Sequence, residues 1–258
     1  MENLLFGTAG TPLSSKGNDS ISGIGRVHEL GLGCMELEFV RGVKMGEKTA
    51  RSVREVAKRL EIRLSVHAPY YINLNAEGET LIRSKERILN SARIGSVCGA
   101  KSVVIHAGFI QGGGRRAVYE KIKKELIDIR EQLKKEDIDI ILRIETMGRG
   151  SQFGTLDEVL EITEVVGMVF SRVEDRLGRF GLDNMHIHVS GIEYTDKGEK
   201  KHLVFSESDF KYKELAQAFS DFDIRGMVIS ESPNLEADAM ALKKEYDMMK
   251  KYSSPHNI

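Results

Sequence analysis

Tryptophan is absent from this chain of 258 residues, and cysteine occurs only twice, as Cys34 and Cys98. Two cysteines so far apart, without metal-ligand spacing, exclude a disulfide framework and a cysteine-built zinc site. They read as free buried thiols in a reducing, cytoplasmic setting. No apolar run approaches the roughly 18 residues that would cross a membrane. The opening MENLLFGTAG lacks the basic region, apolar core and cleavage site of a secretory leader. No proline- or serine-rich linker and no low-complexity run interrupts the sequence, so one domain over residues 1–258 is expected. An excess of one charge is missing too: 39 acidic residues stand against 38 basic ones. That balance speaks against a nucleic-acid binder working by bulk basic charge. Bound divalent ions would, however, add positive charge that a residue count omits.

What is present is alternation. Short apolar runs, expected as strands, cover Leu4–Gly7, Cys34–Phe39, Arg63–His67, Ser102–His106, Ile138–Glu145, Met185–Val189 and Gly226–Ser230. Amphipathic charged stretches, expected as helices, cover Lys48–Leu60, Ser84–Cys98, Ala117–Lys135, Thr155–Val166, Phe210–Phe219 and Leu235–Tyr252. The last follows Ser-Pro-Asn, a helix-start signal. A βαβα succession of this kind makes a parallel sheet. The expected fold class is α/β, and the length fits one (β/α)₈ TIM barrel. An eighth strand is then required. Only Gly167-Met168-Val169 separates the helical patterns Thr155–Val166 and Phe170–Phe180, too little for a strand and a loop. The sixth βα unit is therefore expected to be truncated or missing.

Five of the seven histidines stand where an apolar strand runs into a polar turn. They are His67 in LSVHAPYYINL, His106 in SVVIHAGF, His186 and His188 in NMHIHVSG, and His202 in GEKKHLVF. Glu145 in IILRIETMG and Glu231 in MVISESPN share that strand-end position. In a parallel barrel the strand C-termini and the loops after them build the active site. A single histidine so placed is more often a hydrogen-bonded rim residue. Several histidines and two glutamates on different strands point to a metal site, because imidazole and carboxylate are ordinary Zn²⁺ ligands. His186 and His188, two apart, face the same side of their strand, so one can bind metal while the other meets substrate. His28, in a helical stretch, and His256, in the tail, read as surface or packing residues. The run from Gly112 to Arg116 supplies Arg115 and Arg116 as candidate phosphate contacts, or simply as a solvated loop.

At these residues the chain resembles the endonuclease IV family of AP endonucleases, within the xylose-isomerase-like TIM barrels. The likeness rests on HAPYYINL, VVIHAG, IETMGRGSQFGT, NMHIHVSG and SESPN, and on the succession His, His, Glu, His, His, Glu. It implies a cluster of up to three zinc ions. His67 and His106 would hold the first, and Glu145, the expected catalytic residue, would bridge it to a second. His186 and Glu231 would complete the second, and His202 would serve the third. Tyr70 and Asn73 match residues that contact DNA. The implied reaction is hydrolysis of the phosphodiester on the 5′ side of an abasic site in double-stranded DNA, leaving a 3′-hydroxyl, by a monomeric protein with no membrane partner.

Two departures stand out. The family carries an Asp and, three residues on, a His between Glu145 and His186; nothing here matches, and the gap falls around Val166–Ser171. The family also places an Asp two residues before the third ion's His, where this chain has Lys200. Catalytic impairment, or residues absent near Val169, would follow; a Cα–Cα gap there well beyond about 3.8 Å would reveal the latter. The alternatives are a metal-dependent sugar isomerase or epimerase on the same barrel, and a binder of damaged DNA that no longer cuts.

Overall fold

The structure, a computed structural model, describes residues 3–112, 114–155, 158–159, 178–196 and 198–253. The chain divides into two compact units, one of residues 1–35 with 165–258 and one of residues 36–164.

The first unit holds β1 (Leu4–Ala9), α1 (Ser20–Glu29), β8 (Met185–Val189), β9 (Gly191–Thr195), β10 (Gly198–Leu203), α5 (Tyr212–Asp221), β11 (Gly226–Ser230) and α6 (Glu236–Ser253). Strand β11 lies between β1 and β8, parallel to both. Its register pairs Met227 with His186 and Ile229 with His188. Gly226 lets the strands start that close, because a Cβ there would fall 2.0 Å from the Met185 carbonyl oxygen. Asp19 begins α1 by accepting hydrogen bonds from the Ile21 and Ser22 amides, both at 3.0 Å. Cys34, Met227 and Ile229 form an apolar core cluster, with Leu5 and Ala9 packed on it.

The second unit holds α2 (Glu47–Arg59), β3 (Arg63–His67), α3 (Gly78–Cys98), β4 (Ser102–Ile105), β5 (Gly108–Phe109), α4 (Arg115–Lys135), β6 (Ile141–Ile144) and β7 (Gln152–Phe153). Strand β2 (Cys34–Glu38) enters it at Glu36. The strands run in the order β2, β3, β4, β6. Each of β2, β3 and β4 is almost wholly buried, which is why they read as apolar runs rather than as alternation. Gly99, at φ +80, ends α3 in the left-handed conformation that glycine adopts freely.

All seven strands expected from the sequence are present, with ends differing by a few residues. β6 begins at Ile141 rather than Ile138, and α3 begins at Gly78 rather than Ser84. The α1 helix, which carries His28, was legible only as a helical stretch. The antiparallel hairpin β9–β10 was not expected at all. His202 lies in that hairpin rather than at the end of a sheet strand. The segment around Val166–Ser171, the expected helix Phe170–Phe180 up to residue 177, and His256 lie outside the described residues. Among the described residues no helix is long and apolar enough to cross a membrane.

Candidate functional site

In the second unit the sheet ladder runs directly into the chemistry. His67 pairs with Val104, Val104 with Arg143 and Ile105 with Ile144. The ladder continues past the strand ends, with the Ala68 amide on the Val104 carbonyl at 2.9 Å and the Glu145 amide on Ile105 at 3.0 Å. This register brings His67, His106 and Glu145 together from three neighbouring strands. Both imidazoles meet one oxygen: His67 Nε2 and His106 Nε2 each lie 3.0 Å from Glu145 Oε2. The rings stand edge to face with centroids 5.1 Å apart.

The His67 ring is oriented from behind, since its Nδ1 donates to the Ala68 carbonyl at 2.8 Å. Burial pushes this imidazole down in pKa. The hydrogen bond and charge of Glu145 outweigh burial, with Glu36 and Glu38 adding to them, and raise it to about 9. In the metal-free protein at neutral pH His67 is thus an imidazolium donating from both nitrogens.

One step down the strands lies a polar layer that the sequence reading missed. Ser65 precedes His67 by two and Arg143 precedes Glu145 by two, so each shares its neighbour's face. Ser65 Oγ donates to Glu36 Oε2 at 2.6 Å, and Glu36 is fully buried. Burial lowers the Arg143 guanidinium to about 10, while the charge of Glu36 acts to raise it. The signal was in CMELE, where two carboxylates alternate with Met35 and Leu37 inside an apolar strand.

The loops after β3, β4 and β6 are tied to one another. β5 and β7 form a short antiparallel ribbon. Asn73 was expected to contact DNA. It is 6% exposed. Its Nδ2 donates to Gln111 Oε1 at 3.0 Å, and its Oδ1 accepts from the Asn75 and Phe109 amides. The residue fastens one loop to the next, because its carboxamide has donors and acceptors within reach on both. Tyr70, by contrast, is 55% exposed and packs edge-on against Tyr71, over which the Arg87 guanidinium lies at 4.5 Å. Arg115 pairs with Glu158 at 2.7 Å and with the Gly150 carbonyl at 2.9 Å. Arg116 pairs with Glu120 at 2.6 Å. Both arginines are held by their own chain.

A second donor set lies within the first unit. His186 Nε2 and His188 Nε2 are 3.2 Å apart, and His188 Nδ1 is 3.4 Å from Glu231 Oε1. The Glu231 amide bonds the Val189 carbonyl at 3.0 Å, placing that carboxylate beside β8. His202 Nδ1 donates to the Glu231 carbonyl at 3.1 Å, and its Nε2 lies 3.2 Å from Glu199 Oε1.

Does the donor chemistry fit a metal? The ligand atoms of His67, His106 and Glu145 lie within 4.8 Å of one another. Two neutral imidazoles and a carboxylate make a common Zn²⁺ set. The second set, with two imidazoles and Glu231, has the same composition.

The family described as xylose isomerase-like TIM barrel matches residues 24–252, running through both units. An uncharacterized protein of Methanocaldococcus jannaschii is 37% identical, covering 95% of this chain and 97% of its own length. A probable endonuclease 4 of Streptomyces coelicolor is 29% identical over 57% of this chain and 49% of its own. Among solved structures, endonuclease IV from Thermus thermophilus matches with a TM-score of 0.71 at 15% identity, covering 95% of this chain and all of that one. A D-tagatose 3-epimerase-like protein matches at 0.70 and 19%, covering 91% and 98%. With a family match over most of its length, the chain belongs to the xylose isomerase-like TIM-barrel family and has that fold.

Proposed function

We propose that the protein is a metal-dependent phosphodiesterase that cuts the DNA backbone on the 5′ side of abasic sites. The observation that carries this reading is the histidine-rich character of the two donor sets, with His67 and His106 on one oxygen of Glu145 and His186 and His188 beside Glu231. The sequence likeness to endonuclease 4 supports it.

His67, His106 and Glu145 would hold zinc in one unit, and His186, His188 and Glu231 in the other. Bound there, zinc supplies a Lewis acid for the phosphate oxygens and lowers the pKa of a water molecule. The chain's own contributions are orientation and charge. The Ala68 carbonyl fixes the His67 ring and leaves Nε2 as its ligating nitrogen. Glu145 balances charge at both imidazoles. Tyr70 offers an exposed ring to a sugar or base. An abasic nucleotide is cheap to extrude because it has no base to unstack.

The test is a labelled duplex with one abasic site, incubated with protein before and after chelation and zinc add-back, beside an intact duplex. Cleavage confined to the abasic site, abolished by chelator and restored by zinc, is expected. Uncut DNA together with metal-dependent interconversion of ketohexoses would replace this reading with the isomerase or epimerase alternative.

A further inference from the structure

We propose that Glu158 and Arg115 are positioning residues, which brace the loops after β4 and β6 together and so set the donor geometry of His106 and Glu145. This rests on the reading of His67, His106 and Glu145 as a divalent-metal site and extends it to residues that touch neither metal nor substrate.

The sheet holds Glu145 on one side only. Its amide closes the ladder, on the Ile105 carbonyl at 3.0 Å. Its carbonyl opens a loop of glycines and polar residues, TMGRGSQFGT. His106 likewise follows the last residue of β4 and opens the segment that leads to α4. A donor set grips a metal only if its atoms keep within roughly 0.5 Å of the productive geometry. Sheet pairing alone does not secure that for residues standing at the mouths of loops. Gly154 brings the second loop back onto the donor. The Met147 amide donates to the Gly154 carbonyl at 2.7 Å. Gly154, at φ +128, lies so close that a Cβ there would fall 2.8 Å from the Glu145 carbonyl oxygen. Its bare α-carbon thus rests against the backbone of the carboxylate that both imidazoles share.

Glu158 keeps Gly154 in that place. Its Oε2 accepts the Gly154 amide at 3.1 Å and the Thr155 amide at 3.0 Å. Thr155 Oγ1 in turn accepts the Glu158 amide at 3.4 Å, and the Val159 amide reaches the Thr155 carbonyl at 2.9 Å. Thr155 and Glu158 therefore form a capping box, whose ordinary work ends with those two reciprocal bonds. Here the same carboxylate also takes the Gly154 amide, and its Oε1 accepts from Arg115 Nη1 at 2.7 Å. Arg115 is the first residue of α4, at the end of the segment that His106 opens, and its Nη2 donates to the Gly150 carbonyl at 2.9 Å. One guanidinium thus ties the His106 segment to the Glu145 loop at two points. The β5–β7 ribbon and the Ile110 amide on the Ser151 carbonyl, at 3.0 Å, join the same two loops. The Glu158 side chain is only 12% exposed, which sets this pair apart from a solvated surface contact. Burial pushes its carboxyl up in pKa, but Arg115 and the amides outweigh burial and leave it below the usual carboxylate range. Its bonds are thus charge-assisted at neutral pH.

The experiment loads metal-stripped, full-length protein with Co²⁺, whose visible absorption reports ligand number and geometry, and then displaces it with Zn²⁺ to obtain affinity. Glu158→Gln keeps the shape of the side chain but removes the charge and sets an NH₂ group among donors. It is expected to weaken one metal equivalent about 10–100-fold and to change its absorption band, with any other equivalent unchanged. Arg115→Met is expected to act in the same direction, and the double variant to lose no more than the larger single loss, because the two residues work as a unit. Gly154→Ala leaves both partners in place and is expected to give the same spectral change. In metal-free Glu158→Gln, amide exchange should quicken at Met147 and Gly154 while β3 and β4 stay as protected as in wild type, which separates a loosened loop from a failed fold. Should Glu158→Gln not fold, Arg115→Met and Gly154→Ala carry the test. Wild-type affinity and absorption in the variants that fold would overturn the brace alone. A wild-type protein that takes up no metal would overturn the metal reading on which the brace rests.

Discussion

The two donor sets are built differently. In residues 36–164 the ligands rise from three strands, on a backbone ladder that continues to the donor residues, and two imidazoles converge on a single carboxylate oxygen. In residues 1–35 with 165–258 they come from one strand pair and a bulged hairpin, linked through the carbonyl of Glu231 and the buried carboxylate of Asp238. The first set is preorganised by sheet geometry. The second mixes sheet and loop, with His186 and His188 on the sheet strand β8 and His202 on a hairpin held at the Glu231 carbonyl. Sheet-borne ligands should therefore fail by losing chemistry, and loop-borne ones by losing order.

The largest expected effect tests that contrast. Replacing Glu145 with Gln should reduce cleavage of abasic duplex by about 10²–10³-fold, the scale of removing one preorganised electrostatic group. Replacing Asp238 with Ala should reduce it by only about 10–100-fold, through a loosened His202. Single-turnover rates compare them; equal losses would erase the distinction.

Next comes stability. Glu36→Ala strands the buried Ser65 hydroxyl and removes the carboxylate charge that acts on Arg143, and should cost about 1–3 kcal/mol in denaturant unfolding. A cost near zero would mean that the layer does not anchor the first set. Asp238→Ala removes charge-assisted bonds from the Phe205 amide and the Asn234 carboxamide, and should cost about 1.5–3 kcal/mol. It should also speed amide exchange over residues 198–205 while leaving β3 and β4 protected.

The strands were legible because each is a short buried run bounded by charge, and the donor residues because polar side chains abruptly follow such runs. The hairpin was not legible. GIEYTDKGEKKHL has no continuous apolar signature, since it is partly exposed on both strands, and its bulge has no mark in residue spacing. The partners of Asn73 were not legible because a motif shows which residue is present but not which neighbouring loops its carboxamide bonds. Glu36 and Arg143 escaped notice because the influence of one charge on another across a sheet can be recognised only once the order of its strands is known.

The smallest effect concerns pH. The folded pKa of His67, about 9, lies above its unfolded value near 6.5. Its contribution to stability is therefore fully present below about pH 6.5 and is lost as pH rises through 9. In metal-free protein the melting temperature should fall across that window, and His67→Gln should remove this part of the slope. Because the proton and a cation compete for Nε2, zinc affinity of the first set should rise over the same range. An NMR titration placing His67 near 6.5 would contradict both statements.

The account's central claim is incision beside an abasic sugar, and the chemistry of the cut end tests it most directly. Zinc-loaded wild-type protein should convert an abasic duplex into a nicked strand whose 3′-hydroxyl a DNA polymerase can extend, and Glu145→Gln protein prepared in parallel should not. Ends that cannot be extended, or extendable ends that appear equally with the variant, would contradict the claim.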